Sequence, residues 1–140
     1  MIEYKIGTDD IDWEGLRDLY GEVGLVGGLG KKRDLPKIRE AFLISFKVVT
    51  AWDNQRLVGA GRMISDGVCY GMIFDLGILV THQRQGIGRQ IINILLKGHE
   101  DLFIHLTSTF GNEEFYKKIG FKKHKTGFAK YPIKSKYLED

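Results

Sequence analysis

Apolar residues along the chain switch between two periods, and the switches mark the elements. Ile2 to Ile6 alternates apolar and polar, which predicts a short strand. Trp13, Leu16, Leu19 and Tyr20 then fall at helical spacing, behind Asp10 and Asp12, either of which can cap the helix. GEVGLVGGLGKK is glycine-rich and predicts a mobile loop. Asp34 opens a second helix, with Pro36 in its first turn and Ile38, Ala41 and Phe42 along one face.

Phe46 to Trp52 predicts a strand, Asp53-Asn54 a turn, and Leu57 to Ser65 the next strand. Asp66-Gly67 is a hairpin signal. Tyr70 to Val80 predicts a long apolar strand carrying one carboxylate, Asp75. Ile87, Ile91, Ile92, Leu95 and Leu96 return to helical spacing, and Gly98 ends that helix. Leu102 to Leu106 predicts a buried strand. Glu113 to Ile119 predicts a short helix, with acids first and lysines last to match its dipole. Gly120 stops it, and Phe121 opens a final strand pair.

Antiparallel strands followed by a parallel crossover imply an α/β (α+β) fold: a mixed central sheet of about six to seven strands with flanking helices. At 140 residues the chain reads as one domain, residues 1–140, able to bury a core without crosslinks. Cys69 is its only cysteine, which excludes an internal disulfide or a multi-thiolate metal site and suits a reducing cytoplasm. Met1 to Asp10 lacks the apolar stretch of a signal peptide, and no apolar run reaches the roughly 18 residues of a membrane span. The net charge of +3 suits an anionic ligand. No dense basic block argues for nucleic acid, since Lys31, Lys32 and Arg33 read as a solvated loop.

The chemistry concentrates at the strand-to-helix turn THQRQGIGRQ, residues 81–90. Gly86 and Gly88 have no Cβ, so a ligand's phosphates can approach the amides between Arg84 and Arg89. A helix N-terminus there offers unpaired N–H donors and partial positive charge. A tight turn with glycines for packing is the plainer reading. Two phosphate-binding patterns are excluded: Arg89-Gln90 stands where a Walker loop needs Lys-Ser/Thr, and Ile91 where a dinucleotide fingerprint needs glycine.

Gln83-Arg84-Gln85-Gly86-Ile87-Gly88 resembles the phosphate motif of the GNAT superfamily of acyl-CoA-dependent N-acetyltransferases. FYKKIGF, Phe115 to Phe121, resembles that family's second signature, at the usual separation. The likeness runs over about residues 45 to 132, and RDLPKIREAF, RMISDG and FDLGIL look like single-domain bacterial members that acetylate small amines. The resemblance implies acetyl-CoA as co-substrate, an amine acceptor, no metal, and a homodimer as in many relatives. It places Leu76, Gly77 and Ile78 along the pantetheine arm. Gln83, Arg84, Gln85, Gly86, Ile87, Gly88 and Arg89 fall at the pyrophosphate, and Tyr116 on the general acid. Asn112 stands only four residues before Tyr116, closer than the family's CoA-contacting asparagine.

Acetyl transfer to an amine needs a neutral nucleophile, donors for an oxyanion and a proton for the departing thiolate. A backbone amide near Ile78 can serve the oxyanion. Tyr116 can supply the proton, because its hydroxyl stays protonated at neutral pH; otherwise it ties a helix to the sheet. Asp75 either binds the ammonium or takes its proton, or it is a structural carboxylate paired with Arg62 or a backbone amide. Tyr20, Trp52 and Tyr70 are either pocket walls or core, and the loop from Gly21 to Arg33 borders the acceptor. His82 reads as exposed, His105 as a sheet-face residue and Cys69 as a small packing residue. The expected activity is an N-acetyltransferase moving acetyl from acetyl-CoA to a primary amine. The alternative is an acyl-CoA sensor of the same fold without turnover.

Overall fold

The computed structural model describes residues 1–24 and 34–140. The described chain divides into two compact units, Met1–Leu106 and Thr107–Asp140. The first holds a five-stranded sheet in the order β1-β2-β3-β4-β5: β1 (Ile2–Ile6), β2 (Lys47–Asp53), β3 (Arg56–Ser65), β4 (Tyr70–Ile78) and β5 (Phe103–His105). The first four pair antiparallel and β5 pairs parallel to β4. That parallel pair needs a crossover, supplied by α3 (Ile87–Leu96).

The helix caps follow local chemistry. α1 (Trp13–Val23) starts where Asp12, not Asp10, accepts the Gly15 N–H at 3.0 Å. α2 (Leu35–Leu43) starts at Asp34, with Pro36 in its first turn. α1 lies on β3 and β4 and packs against α2, burying Leu16, Leu19 and Tyr20; Ile38 and Phe42 are the buried residues of α2. α3 packs against β2, β3 and β4 and buries Ile87, Ile91, Ile92 and Leu95, each contributing roughly 2 kcal/mol by removal from water. Gly61 of β3 permits that approach: a Cβ there would sit 3.0 Å from the Ile91 Cγ2. At the other end of α3, the Lys47 ammonium donates to the carbonyls of Ile94 (2.5 Å) and Lys97 (3.3 Å), closing a helix terminus that favours a cation.

The β3–β4 hairpin turn is held by one carboxylate. Asp66 Oδ1 accepts the amides of Cys69 (2.8 Å), Val68 (2.9 Å) and Tyr70 (3.1 Å). Those bonds, the one from Cys69 first, hold the Asp66 carboxyl below the usual carboxylate range. A depressed folded-state pKa stabilises above the unfolded value, about 3.9, and the benefit is lost as pH falls through the folded value. Asp66→Asn is therefore expected to lower the melting temperature at pH 7, with the gap to wild type closing below about pH 4. A gap that is constant with pH, in thermal melts across that range, would show that the charge contributes nothing.

Five strands replace the expected six to seven. No strand forms after Gly120 among the described residues. Residues 122–130 offer only Phe128 and Ala129 as apolar groups, and Phe128 is 97% exposed, so no face is buried to reward pairing. β5 is also not buried as expected. It is the edge strand, it pairs over three residues, and Phe103 stays exposed. β4 ends at Ile78, and a 3-10 turn over Val80–His82 follows. The residues 25–33 of the glycine-rich loop, including Lys31, Lys32 and Arg33, lie outside the described residues.

The second unit holds one short helix, α4 (Glu113–Lys118), with acids first and lysines last. Within that unit Tyr116 packs edge-on against Phe115 and Phe121, with centroids at 5.0 and 5.9 Å.

Candidate functional site

The last two thirds of β4 form the unusual part of the sheet. β5 pairs with β4 only from Tyr70 to Met72, so the edge from Ile73 to Ile78 has no strand partner on that side among the described residues. On the other side β3 stays paired but the register slips. Ala60 faces Gly77 and Arg62 faces Phe74, so Gly61 alone stands opposite both Asp75 and Leu76. Two residues against one is a β-bulge, which bends the strand and re-aims its edge. Asp75 carries the bulge at φ +59°, a left-handed conformation that Asp tolerates better than most residues. Leu76 to Ile78 thus run along an open edge, where alternate residues turn their backbone N–H and C=O outward.

That edge leads into the turn. Gln83 is extended, Arg84 has φ +63° and Gly86 has φ +84°. The two left-handed residues reverse the chain into α3, whose N-cap is Gly86. The first rung of the helix is the Gln90 N–H to the Gly86 carbonyl at 3.1 Å, which leaves the amides of Ile87, Gly88 and Arg89 without a helical partner. Arg84 and Arg89 are exposed and make no hydrogen bond or ion pair among the described residues. The Ile87 side chain is buried, so only its backbone faces the turn.

Three further contacts brace the turn. The Gln83 side-chain amide donates to the Ile78 carbonyl at 3.0 Å, tying the turn to the end of β4. Gln85 reaches the Thr81 carbonyl at 3.5 Å. The Glu22 carboxylate of α1 accepts the Val80 N–H at 3.1 Å. His82 is not exposed as expected. Its side chain is 13% exposed, and Nε2 lies 2.8 Å from Oδ2 of Asp53, the last residue of β2. The bond to His82 holds the Asp53 carboxyl below its ordinary range. Neither Glu22 nor Asp53 was legible as a partner, because both meet the turn only through the fold.

Asp75 takes one of its two expected settings. Its Oδ2 accepts the Arg62 Nε–H at 2.8 Å, and both side chains are nearly buried. Tyr20 and Trp52 belong to the core, at 0% and 6% exposure, while Tyr70 is exposed beside Phe103. Cys69 is exposed rather than packed. His105 lies exposed on β5, with its ring near that of Tyr70. In the second unit, Asn112 precedes α4 and its side chain donates to Thr109 Oγ1 at 2.6 Å. Burial raises the Tyr116 hydroxyl above its ordinary pKa. No group of three or more His, Cys, Asp or Glu side chains that could hold a metal occurs among the described residues, and no described helix is long and apolar enough to cross a membrane.

A sequence match accompanies this bulged strand, open edge and glycine turn. The profile of the acetyltransferase (GNAT) domain matches residues 37–134. The chain belongs to the GNAT acetyltransferase family. A Gibberella zeae protein, named as a candidate acetyltransferase, is 32% identical over 120 residues, which are 83% of this chain and 63% of that protein. The chain therefore spans less than two thirds of that relative's length. A GNAT-family acetyltransferase from Streptococcus pneumoniae has the same fold at TM-score 0.78 and 26% identity, covering 96% of this chain and all of that one. A Clostridium acetobutylicum protein, named as a candidate acetyltransferase and crystallised with acetyl-CoA, matches in fold at TM-score 0.73 and 16% identity, covering 94% and 96%.

Proposed function

We propose that this GNAT domain, residues 1–140 acting as one catalytic domain, moves acetyl from acetyl-CoA to a primary amine of a small molecule. The observation that carries the reading is the continuity of the open β4 edge with the unpaired amides of α3. A pantetheine arm has two amides spaced along an extended chain. Leu76, Gly77 and Ile78 can pair with them as a strand edge pairs with a peptide. A pyrophosphate is a double anion, and the amides of Ile87, Gly88 and Arg89 form the kind of helix terminus that binds one. Arg84 and Arg89 add two charges with no other partner among the described residues. The likeness to a protein crystallised with acetyl-CoA points the same way.

The chemistry needs no covalent enzyme intermediate. The neutral amine attacks the thioester carbonyl carbon, and the carbonyl oxygen gains the charge that an amide near Ile78 stabilises. Collapse breaks the C–S bond, Tyr116 gives its proton to the departing thiolate, and the proton that the attacking nitrogen sheds passes through solvent to restore the tyrosine. The support for Tyr116 is its place in FYKKIGF and the burial that keeps its proton on. Gln83 contributes by fixing the turn against β4.

The test is acetyl-CoA-dependent thiol release with arylalkylamines, polyamines, aminoglycosides and lysine peptides, with products identified by mass. The signal of exposed Cys69 is subtracted. Acetylated product with one amine class is the expected result. Tight acetyl-CoA binding without product from any class would favour a sensor. Absence of acetyl-CoA binding would overturn the reading of the turn.

A further inference from the structure

We propose that Asp75 and Arg62 act together as positioning residues, a strut that holds the β4 bulge and so sets where the open edge lies. The inference rests on the reading that this edge receives the acetyl-CoA arm. Two elements converge on one residue of β4, and a third holds one of its partners. From β3, Arg62 Nε donates to Asp75 Oδ2 at 2.8 Å. From α1, the Tyr20 hydroxyl donates to the Asp75 backbone carbonyl at 2.6 Å. Arg62 is fixed in turn at the end of α2: its Nη1 reaches the Ala41 carbonyl at 3.5 Å and donates to Ser45 Oγ, two residues past the helix, at 3.3 Å. The guanidinium lies 5.5 Å from the ring centres of both Phe42 and Phe74.

The arrangement answers a specific need. A left-handed residue inside a strand is strained and persists only where its surroundings over-determine it. Asp75 is such a residue, at φ +59°. Its carbonyl and carboxylate are held by different elements, so the peptide can neither flip nor slide by one residue. Tyr20 is fully buried, and that burial, followed by the charge of Asp75, raises its pKa well above the ordinary value, so it keeps its proton and donates steadily. The pair itself is 13% and 12% exposed. Buried ion pairs bring little net stability over an apolar pair, so retention of one is better explained by the geometry it enforces. The guanidinium also neutralises the charge that would attract an ammonium. Asp75 thereby acts through the backbone it shares with Leu76, Gly77 and Ile78.

Asp75→Ala and Asp75→Gly separate the roles. Both delete the carboxylate, but only glycine adopts the bulge conformation without strain. Alanine is expected to raise the acetyl-CoA Kd about tenfold and to lower kcat, since displacements of about 1 Å are costly in such sites. Glycine relieves the strain but also loses the Arg62 tether, so it is expected to raise the Kd and lower kcat less than alanine does, by about threefold. The pH profile of kcat should keep all its ionisations in both variants. Tyr20→Phe, which removes one hydrogen bond and no charge, supplies a milder variant if the others fail to fold. It is expected to weaken acetyl-CoA binding about threefold, roughly what one net hydrogen bond is worth. Isothermal titration, thermal melts and steady-state kinetics read all three. Equal losses of kcat in alanine and glycine with an ionisation missing would overturn the strut and make Asp75 the base. Variants that lose only thermal stability, with wild-type Kd and kcat, would overturn it too. Wild-type protein that binds no acetyl-CoA would sink the functional reading and this inference with it, whereas binding by wild type with unaffected variants overturns the inference alone.

Discussion

Gly88→Val should weaken acetyl-CoA binding by about tenfold to a hundredfold while the protein stays folded, the loss expected when one group in a preorganised site is displaced by about 1 Å. Gly88 is the second residue of α3, in ordinary helical conformation, with its amide among the three that have no helical partner. Valine in a helix costs less than about 0.7 kcal/mol in propensity and no hydrogen bond of the ladder. Its branched side chain, however, would stand over the amides that a pyrophosphate must approach. Gly86→Val is the informative companion. No atom lies within 4 Å of a Cβ at position 86, so crowding inside the protein is absent. The φ of +84° is instead one that valine adopts only with strain, roughly 1–2 kcal/mol. Gly86→Val should therefore lose both stability and affinity, and Gly88→Val chiefly affinity. Calorimetric titration with acetyl-CoA, alongside thermal melts, separates the two. Normal affinity in a folded Gly88→Val protein would remove the turn from the binding site.

Tyr116→Phe should lower kcat by about tenfold to a hundredfold and leave the acetyl-CoA Kd within about twofold. General acids commonly contribute more, up to about 10⁴, but a thiolate with a pKa near 8.5 leaves with modest help. The ring contacts with Phe115 and Phe121 survive the substitution, and the hydroxyl has no hydrogen-bond partner among the described residues. Stability should therefore hardly change. Burial raises the hydroxyl pKa, so the acid form persists across the neutral range and is lost only above the ordinary value of about 10. The wild-type rate should accordingly fall on an alkaline limb that the phenylalanine variant lacks. Unchanged turnover across pH would take the acid role from Tyr116 and leave it a packing residue of its unit.

Much of this was legible along the chain because it is set within a few residues. Asp12 and Asp34 cap α1 and α2 because a carboxylate next to a free amide needs no distant partner. The apolar spacing of Ile87, Ile91, Ile92 and Leu95 placed α3, and Asp66-Gly67 placed the hairpin. Gly86 was singled out for its missing Cβ, and the structure adds a left-handed conformation, φ +84°, that glycine adopts freely. The expected strand pair after Phe121 failed for the converse reason. A strand is stable only with a partner and a buried face, and neither is encoded locally in residues 122–130.

By itself, then, the sequence determined the order of the elements, their caps and turns, and the motif at residues 83–88, since each depends on period or on a backbone preference at a single site. Only the tertiary structure decided which groups are spent and which are open. Gln83 stood in the phosphate motif, yet its amide is used on Ile78 five residues back. His82 read as exposed until Asp53, 29 residues away, closed over it. Asp75 read as base, amine anchor or structural carboxylate, and the partners it meets, Arg62 and Tyr20, lie 13 and 55 residues off. The two-against-one register opposite Gly61 has no local signature either. Burial, ion pairing and strand register are properties of pairs of residues, and only folding makes those pairs.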